Sequence, residues 1–293
     1  MAVATWTQRA VLELFPEFLR KRRRGFVARR QEIAREIGIS DDALLMLGPA
    51  VQWGQDGVLT HTRLRWVSVY VTKDPWPPLL DEDVRAGLLD RDGDAWRLTA
   101  RGRETFARVN GEARAYVASL PLPATQLSRL APALEALVRR IPPGSERATA
   151  GRRLVPSPEE ARHHVVRVEQ TILELWLRRD DCHIGAWETA GYEGPALDVL
   201  SQVWEGKTTL DEVAAAIANK QERANVERNV ETLIARGDLV REGDALRLTT
   251  QGRASRDAIE RETDRRYFNG WPTGEDLARI GDDLSAINAA LPT

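Results

Sequence analysis

The side chains with the most obvious chemistry crowd into "RRDDCHIGAW", where Arg178, Arg179, Asp180, Asp181 and His183 fall within six positions. An aspartate can orient an imidazole, and His183 titrates near enough to neutral to hold a ligand group or move a proton. Helix capping and surface ion pairs account for most of these residues equally well. The other histidines add nothing to the cluster. His163 and His164 are adjacent, so they face different sides of a helix, and His61 is distant. No pair of His, or of His and Glu, has the spacing of a metal site, so no metal is expected. Cys182 is the only cysteine. It can form neither an intrachain disulfide nor a cysteine-cluster zinc site, and it fits a reducing cytoplasm. The chain has no phosphate-cradling P-loop, no G-x-G-x-x-G and no G-x-S-x-G. No catalytic residue and no cofactor are therefore assigned, and an enzyme is not the leading reading.

A second set of residues is suited to hydrogen-bonding base edges. "NKQERANVERN" offers Lys220, Arg223, Asn225, Arg228 and Asn229 within ten positions, with Arg241 and Arg247 shortly after. Arginine can bridge guanine O6 and N7, and asparagine can bridge adenine N6 and N7, so double-stranded DNA is the partner these types suggest. Glu222 and Glu227 are interleaved, and an ordinary charge-paired helix face reads the same way. Residues 20–35, "RKRRRGFVARRQEIAR", hold Arg20, Lys21, Arg22, Arg23, Arg24, Arg29, Arg30 and Arg35 against one acid, Glu32. They take eight of the 42 basic and one of the 44 acidic residues, which leaves 34 basic against 43 acidic elsewhere. The run reads as a phosphate-attracting patch or as a solvated helix face. Nine tryptophans is a high count. Trp53, Trp66, Trp76, Trp187 and Trp204, with His183, are candidates to line a pocket for a planar aromatic molecule. Ordinary core packing explains such rings as well.

The elements that must position these groups are written twice. "GDAWRLTARGR" (93–103) and "GDALRLTTQGR" (243–253) share eight of eleven residues at an offset of 150. Leu127, Arg129, Leu130, Leu134 and Leu137 likewise meet Leu277, Arg279, Ile280, Leu284 and Ile287. Upstream, an offset of 151 brings Trp53 to Trp204 and Leu59 to Leu210. Between the copies, "IPPGSERATAGRR" has linker composition. The expected organisation is a unit over 1–141, a linker over 142–156 and a second unit over 157–293. Each unit reads as three helices, a hairpin, a long helix and a final helix. Helical spacing in "LTHTRLRWVSVYV" and "TTLDEVAAAIA" predicts the second of the three, and "PWPPLLDEDVRAG" and "ERANVERNVETLIARG" the third. Gly93 and Gly243 suit hairpin turns, Thr99 and Thr249 suit helix caps, and Gly102 and Gly252 suit a close backbone approach. Three helices followed by a two-stranded wing make a winged helix. The fold class expected is mostly α with small β-hairpin wings, as two tandem winged-helix repeats.

"ARGDLVREGDALRLTTQGRASRDAIERE" resembles the MarR-type winged-helix regulators, and "LRRDDCHIGAWETAGYEGPALDVL" resembles an actinobacterial group of MarR-like helix-turn-helix proteins. The resemblance implies a DNA-binding transcriptional regulator that senses an aromatic or apolar small molecule between its DNA-binding and dimerisation helices, which in a tandem copy is the inter-repeat cleft. MarR-like proteins are homodimers with interleaved terminal helices. A tandem copy implies the same object as an intrachain pseudo-dimer, monomeric as a chain. The two reading helices differ. Asp81, Glu82 and Asp83 are expected where phosphate would approach the first, and acids tip both wings at Asp90, Asp92 and Asp94 and at Glu242 and Asp244. Acids repel the duplex, so a symmetric two-headed reader is disfavoured. The competing reading is a repurposed winged-helix protein that binds or transforms a small molecule and no longer reads DNA. No apolar run approaches the ~18 residues of a membrane span, and no secretory signal opens the chain, so a cytoplasmic location is expected.

Overall fold

A computed structural model describes residues 6–54, 56–141, 144–149 and 156–292. In the first half, α1 (Gln8–Lys21) and α2 (Val27–Ile37) are separated by a short 3₁₀ turn, and α3 spans Asp41–Trp53. Next come β1 (Val58–Thr60), α4 (His61–Val67), α5 (Trp76–Arg85), β2 (Leu89–Asp92) and β3 (Ala95–Leu98). The half closes with α6 (Ala100–Ser119) and α7 (Ala124–Arg140). In the second half, the 26-residue α8 (His164–Thr189) is followed by α9 (Gly194–Trp204), α10 (Leu210–Ala216) and α11 (Arg223–Ala235). Then come β4 (Leu239–Glu242), β5 (Ala245–Leu248), α12 (Thr250–Tyr267) and α13 (Gly274–Ala290). The molecule is mostly helical with two small antiparallel sheets, β1-β3-β2 and β4-β5. No described helix is long and apolar enough to cross a membrane.

The two eleven-residue phrases fold alike. Leu89 pairs with Leu98 across one hairpin and Leu239 with Leu248 across the other. Gly93 (φ +58°) and Gly243 (φ +62°) take the left-handed turn positions that a Cβ disfavours. The hydroxyls of Thr99 and Thr249 each accept the amide of the glycine three residues on, both at 2.9 Å. A Cβ on Gly102 would lie 2.1 Å from the Leu88 carbonyl oxygen, and one on Gly252 2.0 Å from that of Asp238. The phrase is thus a turn, a cap and a close approach.

Upstream, the correspondence differs from the expected one. The buried residues of α3 are Ala43, Leu44, Met46, Leu47 and Ala50, and those of α9 include Ala196, Leu197, Val199, Leu200 and Val203, in the same spacing. This sets Trp204 opposite Val51, not Trp53. Leu59 lies in β1 opposite Trp96, whereas Leu210 opens α10. The true counterparts are Thr60 and Thr209, which cap α4 and α10 and pair with Ala95 and Ala245. The connection before the cap is shorter in the second half, so matching single apolar letters across it slips the register.

Three cores result. Each half buries one beneath its hairpin: Leu47, Leu64, Leu80 and Leu89 in the first, Leu200, Val213, Val230 and Leu239 in the second. The third joins the halves. Phe15 and Phe18 of α1 pack among Leu130 and Leu134 of α7, Ile172 and Leu175 of α8, and Leu284 and Ile287 of α13. Helix α1 lies along α13, while α8 lies along both α7 and α12. Burial of each such side chain contributes about 1.5–3 kcal/mol. Glu169, 4% exposed, ties the joint further by receiving Arg22 Nε at 2.5 Å and Arg23 Nε at 2.6 Å. Of the expected linker, residues 142–143 and 150–155 lie outside the described residues. The remainder is anchored: Asp181 accepts the Ala148 amide at 2.7 Å and the Thr149 amide at 3.1 Å.

Candidate nucleic-acid interface

In the second head, a capping box starts α10: Thr209 caps the Glu212 amide, and Glu212 accepts from the Thr209 amide. Helix α11 buries Val226, Val230 and Leu233 at i, i+4 and i+7. That stripe turns Arg223, Glu227, Arg228, Glu231 and Thr232 outward. The structure therefore gathers the predicted base-reading side chains on one head. It also supplies each with a partner. Arg223 pairs with Asp211 at 2.6 Å and with Glu227 at 3.1 Å. Arg241 pairs with Glu231 at 2.9 Å and Arg247 with Glu242 at 3.1 Å. Arg228 donates to Asn225 Oδ1, and Asn229 donates to Gln221 Oε1 at 2.9 Å. Lys220 pairs with Asp198 at 3.1 Å. Exposed pairs of this kind are worth about 0–1 kcal/mol each, so a phosphate can compete for the arginines.

The first head is not equivalent. Helix α5 buries Trp76, Leu80 and Asp83, the positions opposite Val226, Val230 and Leu233. Asp83 does not face an approaching phosphate, as its sequence neighbours suggested. It is fully buried, because position 83 continues the apolar stripe. Neither carboxylate oxygen has a hydrogen-bond partner. Burial, with the Glu82 charge alongside, pushes its pKa up to about 8. The second head also buries an acid, but Asp238 receives the Tyr192 hydroxyl at 2.8 Å and Arg236 at 3.0 Å. Of the other α5 acids, Asp81 holds Arg91 at 2.7 Å and Glu82 accepts the Ser40 amide at 2.8 Å.

The basic run does not form one face. Arg22 and Arg23 turn into the joint on Glu169. Lys21 holds Glu17 at 2.7 Å, Arg29 holds Glu112 at 2.7 Å, and Arg30 holds Asp41 with two bonds of 2.7 Å. Arg20 and Arg24 are exposed.

The tryptophans do not share a pocket either. Trp76 is buried in the first head and Trp53 packs beside it. Trp66 lies under Arg63, and Trp204 donates to Asp257 at 2.9 Å. Trp187 donates to the Tyr70 hydroxyl at 3.1 Å. His183 Nδ1 lies 3.1 Å from the Thr263 hydroxyl, which spends its own proton on the Ile259 carbonyl, so Nδ1 is the donor. Burial pushes the imidazole pKa down, which holds it neutral as a tie between α8 and α12. The apolar space lies elsewhere. A 250 Å³ cavity lined by Phe26, Leu44, Leu45, Phe106 and Val109 adjoins a 480 Å³ furrow along Val51, Phe106 and Ala107.

One segment with a part in this interface was not visible in sequence. "LTHTRLRWVSVYV" reads as a single helix, yet α4 ends at Val67 and Val69–Lys73 runs on to contact the second head. The amides of Thr72 and Lys73 donate to the Lys220 carbonyl at 2.9 and 3.0 Å, and Asn225 Nδ2 donates to Thr72 Oγ1 at 2.9 Å. The β-branched residues Val69, Val71 and Thr72 were the available signal, because they disfavour continuing a helix.

A helix-turn-helix family model matches residues 76–293. The chain belongs to this helix-turn-helix family. No curated protein and no solved structure matches it. The family match starts at α5 and continues through the joint to α13. What this helix-turn-helix protein shares with its family is therefore more than one head.

Proposed function

We propose that this helix-turn-helix protein is a MarR-like DNA-binding transcriptional regulator, built as an intrachain pseudo-dimer of two winged-helix units (1–141 and 157–293, linker 142–156). In this reading, α11 and the β4–β5 wing are its reading head. One observation carries the assignment. The positions opposite Asn225, Glu227 and Arg228 are Pro75, Pro77 and Pro78, which carry no side-chain donor. Only α11 has the groups to read base edges. Lys220, Arg223, Asn225, Arg228 and Asn229 face the bases, and Arg241 and Arg247 follow the backbone. An apolar or aromatic effector fits the furrow along Phe106, between α3 and α6, better than it fits the scattered tryptophans. The joint already provides the packing that a second subunit would bring, so the chain acts as a monomer.

The test is duplex binding across a salt series. Phosphate contacts require affinity to fall steeply with salt, and Arg223→Ala with Arg228→Ala should weaken binding while Asp81→Ala should not. If no duplex binds better than about 10⁻⁴ M at low salt, the regulator reading fails. The ion pairing of Arg223, Arg241 and Arg247 favours the alternative in that event, a small-molecule binder that no longer reads DNA.

A further inference from the structure

We propose that Val69–Lys73 is an internal latch. Docked as it is here, it closes the second head, and that head reads DNA only when the segment is released. The inference rests on α11 being the reading helix.

The latch is made of several contacts of different kinds. The Val69 carbonyl oxygen approaches Gly194 so closely that a Cβ there would lie 2.2 Å from it. Tyr70 packs on Trp187 with ring centroids 6.1 Å apart, and its hydroxyl accepts the indole N–H. Lys220 Nζ sits 5.9 Å from the centre of the Tyr70 ring. The amides of Thr72 and Lys73 both donate to the Lys220 carbonyl, Asn225 donates to Thr72, and Lys73 Nζ is 3.3 Å from Glu222.

Two of these partners are the side chains needed for reading. The Asn225 amide donates to Thr72 Oγ1 and accepts from Arg228, so an adenine edge has to displace partners already in place. Lys220 Nζ is held between the Tyr70 ring and Asp198. The segment belongs to the first head's own connection between α4 and α5, so the two heads touch at the turn that precedes each third helix. The contacts suit a latch better than a permanent joint. They join four hydrogen bonds and one ion pair to two apolar side chains, Val69 and Tyr70, on a short turn segment, whereas the joint between the halves is broadly apolar and built from helices.

The experiment uses the full chain and a labelled mixed-sequence duplex at low salt. Gly194→Ala pushes the segment away without altering a base-reading side chain, and Tyr70→Ala is the second route. Hydrogen exchange at the Thr72 and Lys73 amides reports release. The expected result is loss of protection at both amides with about tenfold tighter duplex binding, abolished by adding Arg228→Ala. Released amides with unchanged or weaker binding overturn the latch and leave DNA reading intact. Amides that stay protected in both variants show a fixed joint and also overturn it. If wild type and released variants alike bind no duplex, DNA reading itself falls and the latch falls with it.

Discussion

Replacing Asp83 with leucine should stabilise the protein, and the gain should grow with pH. Leu233 occupies the matching position of the second head, so the stripe accepts the shape. Asp83 is fully buried without a hydrogen-bond partner, and its pKa rises from the ordinary 3.8 to about 8. The sign follows from proton linkage. Between those values the folded state keeps a proton that the unfolded state has lost, so stability falls by about 1.4 kcal/mol per pH unit as pH rises. The penalty is absent below the unfolded pKa and complete above about pH 8. At pH 7 its ceiling is about 4 kcal/mol. A neutral carboxyl buried without a partner costs about 1–3 kcal/mol more, and overpacking by the larger leucine takes back a similar amount. The expected net gain is therefore about 2–4 kcal/mol at pH 7 and little near pH 4. Urea denaturation of wild type and Asp83→Leu at a series of pH values measures it. The reasoning is refuted if the variant is less stable at pH 8, or if the difference between the two proteins does not change with pH.

Further substitutions test the framework. Glu169→Gln removes the charge shared by Arg22 and Arg23 at the joint, and should cost about 3–5 kcal/mol in a urea melt. Substituting Ala at Gly102 or Gly252, where a Cβ would meet a backbone carbonyl at about 2 Å, should cost about 2 kcal/mol or more. Gly111→Ala, with open space around its Cβ, should stabilise α6 by up to about 1 kcal/mol by the same melts.

The parts of this fold that were legible in sequence are those set by local backbone chemistry. The hairpin glycines and the Thr99 and Thr249 caps depend on residues a few positions apart, and the two close-approach glycines on the start of the hairpin just before them. Sequence matching failed across the connection before Thr60 and Thr209, because its length differs between the halves. The inward turn of Asp83 was hidden by its charge, which outweighed a stripe position that periodicity alone would have assigned. The partners of the arginines could not be read either. Arg22 and Arg23 meet a glutamate nearly 150 positions later, and no local pattern encodes that pairing. The grouping of Arg223, Asn225 and Arg228 on α11 followed from helical spacing. The engagement of Lys220 and Asn225 by Thr72 and Lys73, about 150 positions earlier, did not.

The strength of the latch decides whether it can regulate. Four hydrogen bonds, two to the Lys220 carbonyl, one from Asn225 and one from Trp187, add to the Lys73–Glu222 pair and to the packing of Val69 and Tyr70 on the second head. Each hydrogen bond is worth about 0.5–1.5 kcal/mol net, a gross gain of about 2–6 kcal/mol. Ordering the backbone of a five-residue segment costs about 1–2 kcal/mol per residue when the segment would otherwise be free. Both ends of Val69–Lys73 are already held, by α4 at Val67 and by α5 at Trp76, so most of that cost is met whether the latch is open or shut. To regulate, the docked state must be favoured by about 1–3 kcal/mol, an open fraction of about 1–10%. A duplex that binds only the open head then sees its affinity reduced by about ten- to a hundredfold. This lies within the 1–3 kcal/mol over which a bound effector typically shifts a coupled equilibrium. A latch much stronger than this would make the second head a buried structural element, and a much weaker one would leave Lys220 and Asn225 free. The observed set, two apolar side chains with four hydrogen bonds and one ion pair, is far smaller than the helical joint and larger than a single surface contact.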